Sequence, residues 1–146
     1  MKNILIVSNS DTCRSRMAQE ILNSFGRGMK ISTAGVLVGN SVPDVVCLVM
    51  EQNGYDFSRR KPCDVATYAQ QTWDYVITLC PEAEEVQKEM QGVVRKYVSF
   101  NFADPFRGGI HADDEQEERV VALYDAMHKE LYEFFRSELR EKWFPR

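Results

Sequence analysis

Apolar residues follow two rhythms along this chain. Short continuous runs mark strands covered on both faces, and apolar positions stepping by three and four mark helices. The first run is Ile4-Leu5-Ile6-Val7, and a helical pattern follows over 15–25, ended by Gly26 and Gly28. A second strand is expected over 30–33, closed by Ala34-Gly35. A helix over 43–53 follows, with Pro43 near its first turn and Gly54 as its stop. Next come a short helix over 64–70, a strand over 74–79, a helix over 82–90 begun by Pro81, and a strand over 93–98. Residues 113–141 read as one long helix, because Val120, Tyr124, Met127, Leu131, Phe135 and Leu139 recur at helical spacing. Such alternation predicts an α/β fold: one domain over 1–146, with a four-stranded parallel sheet and about five helices on its two faces. Ligands of these folds bind at the carboxyl ends of the strands, beside the point where strand order reverses.

Composition narrows the partners. A net charge of −4 and a pI near 5.2 argue against a nucleic-acid or acidic-membrane surface. No apolar run approaches the roughly 20 residues of a membrane span. Met1-Lys2 leads straight into a strand, so a cytoplasmic location is expected. Cys13, Cys47, Cys63 and Cys80 are scattered, without the spacing of a zinc site, and are expected as reduced thiols. His111 and His128 are too far apart to suggest a metal centre. No metal and no cofactor are expected.

The candidate chemistry lies in Ser8-Asn9-Ser10-Asp11-Thr12-Cys13-Arg14-Ser15, between the first strand and the first helix. Small polar residues running into a helix N-terminus form an anion cradle, where converging N–H groups add to the positive end of the helix dipole. The planar fork of Arg14 suits two oxygens of a tetrahedral oxyanion. Asn9 through Ser15 are therefore the expected phosphate-binding segment. This loop resembles that of the low-molecular-weight protein tyrosine phosphatases and the thioredoxin-coupled arsenate reductases built on the same fold. The resemblance extends along the chain. Ser32-Thr33-Ala34-Gly35 is similar to the family's Ser-Ala-Gly segment, Gly54-Tyr55-Asp56-Phe57-Ser58 to its turn after the second helix, and Phe102-Ala103-Asp104-Pro105-Phe106 to its late Asp-Pro loop.

The resemblance implies a nucleophile at position 8, an oxyanion clamp at Arg14, and a general acid at Asp104. It also implies that Ser15 offers its hydroxyl to the group at position 8. The family's nucleophile is a cysteine, and here Ser8 replaces it. A serine hydroxyl needs a neighbouring base, the family's architecture supplies none, and Asp11 is the only new candidate, so catalysis is expected to be impaired. Ser10 stands where the family usually has glycine, and Asp11 where it has an asparagine that holds the turn. Asp11 is expected to point back into the loop and to weaken anion binding through its charge. Arg16 is expected to add positive charge at the rim. Cys13 is expected to be a semi-buried bystander.

Three readings follow. The first is a phosphatase-like protein with a phosphate pocket, whose partner would be phosphate or a phosphotyrosine protein. The second is a catalytically silent module binding phosphate or a phosphoprotein. The third is an arsenate reductase-like protein without a complete cysteine relay. Thr78-Leu79-Cys80 resembles the reductases, but Gln87 stands where their resolving cysteine would be. Cys80, Cys47 and Cys63 are expected as buried packing thiols. Phe102 and Phe106 either wall a cleft or anchor the Asp104 loop. The run Arg59-Arg60-Lys61 reads as a solvated face, and Asp113-Asp114-Glu115 as a first helical turn favoured by the dipole.

Overall fold

The computed structural model describes residues 1–57, 60–109 and 113–140. Its centre is β1 (Lys2–Ser8), flanked by β2 (Met29–Gly35) and by β3 (Trp73–Thr78), with β4 (Val94–Ser99) at the far edge. All three pairings are parallel and the strand order is β2-β1-β3-β4. The continuous apolar run of β1 reflects burial on both sides. Ile4 and Ile6 enter the larger core, with α1 (Arg14–Asn23), α2 (Asp44–Gln52) and α4 (Asp113–Phe134). Leu5 and Val7 enter the smaller one, beneath Val65, Ala83 and Val86. The chain leaves β1 towards β2 on one side and β3 on the other, so strand order reverses at the carboxyl end of β1. Ser8 stands there.

The strands agree with the sequence reading to within a residue or two, and three helices depart from it. The stretch expected as a helix over 64–70 is one 3₁₀ turn, Val65–Tyr68, capped by Asp64, whose Oδ1 accepts from the Ala66 N–H at 2.8 Å. The stretch over 82–90 divides into a 3₁₀ turn, Pro81–Glu85, and a short α3 (Val86–Glu89). The long helix is α-helical only to Phe134. One wider π-type turn follows, Phe135–Leu139, with Arg140 N–H donating to the Phe135 carbonyl at 2.7 Å. Strict helical spacing after Leu131 would turn Glu138 onto the core face. The extra residue of the wide turn buries Leu139 instead and leaves Glu138 to pair with Lys96 at 2.8 Å. No described helix is long and apolar enough to cross a membrane.

β2 ends where it must let the loop after β1 pass closely. A Cβ on Gly35 would stand 2.7 Å from the Ser10 carbonyl carbon and 2.9 Å from the Asp11 nitrogen, both backbone atoms that cannot swing aside. Gly35→Ala is therefore expected to lower stability by about 1–3 kcal/mol, the usual range for overpacking. Urea unfolding checks this, with the loss appearing in the midpoint at unchanged slope.

Candidate functional site

The loop between β1 and α1 is held from outside by its carbonyls. Ser8 O accepts from Val36 N–H at 3.2 Å, Asn9 O from Leu37 N–H at 2.8 Å, and Ser10 O from Gly39 N–H at 2.9 Å. With the carbonyls drawn towards 36–39, the N–H groups of Asn9, Ser10, Thr12, Cys13, Arg14 and Ser15 find no acceptor among the described residues. Asp11 makes this turn possible. It is the one non-glycine residue at positive φ among those described, at 58°, a conformation that Asp tolerates better than most residues. Ser10 needs no such conformation, so a serine fits where a glycine would stand. Its hydroxyl lies 2.7 Å from that of Thr12.

Arg14 opens α1 and is mostly buried. One of its Nη atoms donates to the Phe102 carbonyl at 2.9 Å, which links the loop to the segment carrying Asp104. Arg14, Asn9, Phe102, Asp104 and Arg107 line a shared cavity of about 410 Å³. Asp104 Oδ1 accepts from the Phe106 N–H at 2.9 Å, so it shapes its own turn while lining that cavity. Phe102 is buried and stacks on Phe100 at 5.6 Å, anchoring the loop to the core. Phe106, half-buried, borders a separate apolar groove with Val45 and Leu48.

Three hydroxyl and carboxyl groups join beneath the loop. Ser15 Oγ donates to Asp11 Oδ1 at 2.6 Å, and Ser8 Oγ donates to Ser15 Oγ at 2.8 Å. The Asp11 N–H returns to Ser8 Oγ at 3.2 Å, and the Cys63 N–H donates to Asp11 Oδ2 at 2.9 Å. Ser15 thus offers its hydroxyl to Asp11, not to the group at position 8. Asp11 does point back into the loop, and its charge is not left alone there.

Arg16 corrects the sequence reading. It is 2% exposed, not at a solvent rim, and its charge acts on the Asp11 carboxylate. One Nη donates to the Arg60 carbonyl at 2.6 Å. Burial, then the neighbouring Arg60, pulls its pKa below the usual arginine value. Arg60 is likewise no solvated residue: its Nη2 donates to Gln19 Oε1 at 2.7 Å and Thr33 Oγ1 at 3.0 Å. Arg59, Ser58 and His111 lie outside the described residues. The residues at 11 and 16 are thus both buried.

The cysteines are free thiols. Cys47 and Cys80 are buried packing residues as expected, whereas Cys63 is half-buried and contributes through its backbone N–H. Cys13 packs on Met17, with Sγ–Sδ at 3.8 Å. Burial pushes its thiol pKa up to about 12, against a smaller opposing effect from Arg14. Because the folded value lies above the ordinary one of 9.0, the stabilisation from keeping this thiol neutral is complete below pH 9 and lost as pH rises towards about 12. At pH 8 iodoacetamide is accordingly expected to spare Cys13 and to modify Cys63 first, as peptide mapping would show. No group of three metal-ligating side chains occurs among the described residues.

A family model described as low molecular weight phosphotyrosine protein phosphatase matches residues 3–142. The chain belongs to this family. Over 80 residues it is 29% identical to a glutaredoxin arsenate reductase of Synechocystis, an alignment covering 55% of this chain and 61% of that protein. The match thus spans less than two thirds of that curated relative. Among solved structures, the chain is similar to a tyrosine phosphatase of Erwinia amylovora, with a TM-score of 0.74 and 16% identity over 96% of this chain and 95% of that one. It is also similar to an arsenate reductase in a phosphate-binding state, with a TM-score of 0.70 and 20% identity over 93% of this chain and 98% of the other. At these identities the structural likenesses establish the phosphatase fold.

Within the family fold, the structure brings Arg14, Asn9 and Asp104 to one cavity and places Ser8 and Ser15 beneath it, joined to Asp11. Sequence reasoning did not find the 36–39 segment that holds the loop carbonyls, nor the Phe102 carbonyl, Arg60 or the Cys63 N–H. Gly35 and Gly39 were the available signal. A Cβ on Gly39 would stand 2.7 Å from Thr12 Cγ2, so both glycines mark backbone passing close to the loop.

Proposed function

We propose that residues 8–15 hold a tetrahedral oxyanion of the phosphate type, with Arg14 as its clamp and Asp104 beside the ester oxygen, and that turnover is slow. The observation that carries this reading is the loop itself: carbonyls held outward, six N–H groups without a described acceptor, and an arginine pinned at the mouth. Helix dipole, N–H donors and guanidinium do not depend on the residue at position 8. The phosphate state of one structural neighbour is consistent with it. The Asp11 charge opposes binding, and its two oxygens are taken up by Ser15 and the Cys63 N–H. Phosphotyrosine proteins are the family's substrate class, and the cavity beside Asp104 is where an aryl group would lie.

Phosphate is expected to raise the melting temperature in a concentration-dependent way, because a ligand held only by the folded state stabilises it. Chloride at matched ionic strength should give no comparable rise. Equal effects of the two salts would contradict a specific site. Steady hydrolysis of 4-nitrophenyl phosphate is expected to be slow or absent. Efficient turnover that disappears in Ser8→Ala would overturn the slow-turnover part of the proposal.

The chain is similar to arsenate reductases in sequence and fold, but reductase turnover is not part of this proposal, because the cysteine relay it would need is incomplete. Position 8 carries no thiol, Gln87 none, and Cys80 packs against Leu5, Val7 and Val76 in the smaller core.

A further inference from the structure

The chain Ser8–Ser15–Asp11 has a fixed direction. Both Asp11 oxygens accept, Oδ2 from the Cys63 N–H and Oδ1 from Ser15, so the Ser15 proton lies on the 2.6 Å contact to Asp11 Oδ1. That length is typical of a hydroxyl donating to a charged oxygen. The Ser15 oxygen must then be the acceptor of its 2.8 Å contact with Ser8, which points the Ser8 O–H at Ser15. Ser8 Oγ also accepts from the Asp11 N–H, and one lone pair stays uncommitted. Asp11 is fixed in this role from its other side by the Cys63 N–H, and every member of the chain is buried.

We propose that Ser8 accepts a phosphoryl group, its proton passing through the Ser15 hydroxyl to Asp11, and that the resulting phosphoserine persists. The inference rests on the oxyanion site proposed above. Ser8 Oγ forms a bond to phosphorus as the bond from phosphorus to the ester oxygen breaks. The Ser8 proton moves to Ser15 Oγ while the Ser15 proton moves to Asp11 Oδ1. The departing oxygen keeps the electron pair, leaving as an aryloxide or taking a proton from Asp104. A weak base is enough, because a loose phosphoryl-transfer transition state demands little from the attacking hydroxyl, and aspartate serves the same purpose for hydroxyl substrates in protein kinases. Ser15 touches the reacting oxygen. Asp11 acts through it as a positioning residue and proton acceptor. The product is an alkyl phosphate whose alkoxide leaves far less readily than a thiolate, so the covalent state accumulates instead of turning over.

The test mixes the full-length protein with excess 4-nitrophenyl phosphate and follows nitrophenolate release together with intact mass. Expected is a release approaching one equivalent, followed by little turnover, with one phosphoryl group mapped to Ser8 and none in Ser8→Ala. Asp11→Asn keeps one acceptor oxygen for Ser15, gives up the one that takes the Cys63 N–H, and removes the proton acceptor. It should slow labelling by about 10²-fold, within the usual contribution of a general base, while changing inorganic phosphate affinity far less. A merely structural role would weaken both together. Ser15→Ala, which leaves the Asp11–Cys63 contact in place, should give the same split, and Ser15→Thr should restore labelling in part.

Labelling unchanged in Asp11→Asn and Ser15→Ala would overturn the relay. So would phosphate binding without any labelling of Ser8. If neither binding nor labelling occurs, the oxyanion site itself fails and the relay fails with it.

Discussion

Ser8→Cys is expected to raise steady hydrolysis of 4-nitrophenyl phosphate by about 10²-fold or more. The loop's N–H groups and the helix dipole lower a thiol's pKa where they leave a serine hydroxyl protonated. A phosphothiol intermediate also releases its phosphoryl group to water more readily than a phosphoserine. The gain depends on the loop keeping its shape, to which the Ser8 hydroxyl adds only its contacts with the Asp11 N–H and Ser15. That shape rests on the bonds from Val36, Leu37 and Gly39 and on the left-handed turn at Asp11. One contact works against the thiolate: Ser15 gives its proton to Asp11 and must turn to stabilise sulfur. Ser8→Cys combined with Asp11→Asn should therefore exceed Ser8→Cys alone. A restored thiol that stays inert in both backgrounds would show that the cradle does not support the family's chemistry.

Arg14→Ala is expected to weaken phosphate binding by about 10–100-fold, which corresponds to losing charged hydrogen bonds of roughly 1.5–3 kcal/mol in total. The guanidinium has five donors, and the Phe102 carbonyl fixes one of them, so the rest of the fork is oriented before a ligand arrives. Its loss has a second effect, because that same bond ties the Asp104 loop to the anion loop. Arg14→Lys keeps the charge but not the planar fork, and is expected to fall between wild type and alanine. Calorimetric titration with phosphate separates the three. Equal affinities would remove Arg14 from the site.

Much of the fold was legible in the sequence because its two periodicities are strong. β1 is covered on both faces and so reads as an unbroken apolar run, and α4 shows one apolar stripe. The wide turn at Phe135–Leu139 was not legible, since Phe135 and Leu139 fit a regular helix as well and only the burial of Leu139 in place of Glu138 distinguishes the two. The 3₁₀ turns were missed for a similar reason, as short helical segments give too few residues to separate the two geometries.

The candidate loop was found from local features, namely small polar residues, an arginine and a following helix. Its partners were not local. In sequence, Arg16 reads as a positive charge at the rim and Asp11 as a like charge in an anion pocket. Only the fold shows that both are buried and that the charge of one acts on the other. The Ser8–Ser15–Asp11 chain was hidden likewise. Sequence shows three residues with suitable groups, whereas hydrogen-bond direction follows from the 2.6 and 2.8 Å contacts.

The central claim is that residues 8–15 bind a tetrahedral oxyanion. Backbone amide shifts followed during a titration with inorganic phosphate test it most directly, because the donors proposed are themselves the probes. The account predicts saturable shifts concentrated in residues 9–15, complete below tens of millimolar, an order-of-magnitude ceiling for a useful site, and moved to higher phosphate concentration in Arg14→Ala. No response from residues 9–15 at that concentration, or one matched by chloride, would contradict it.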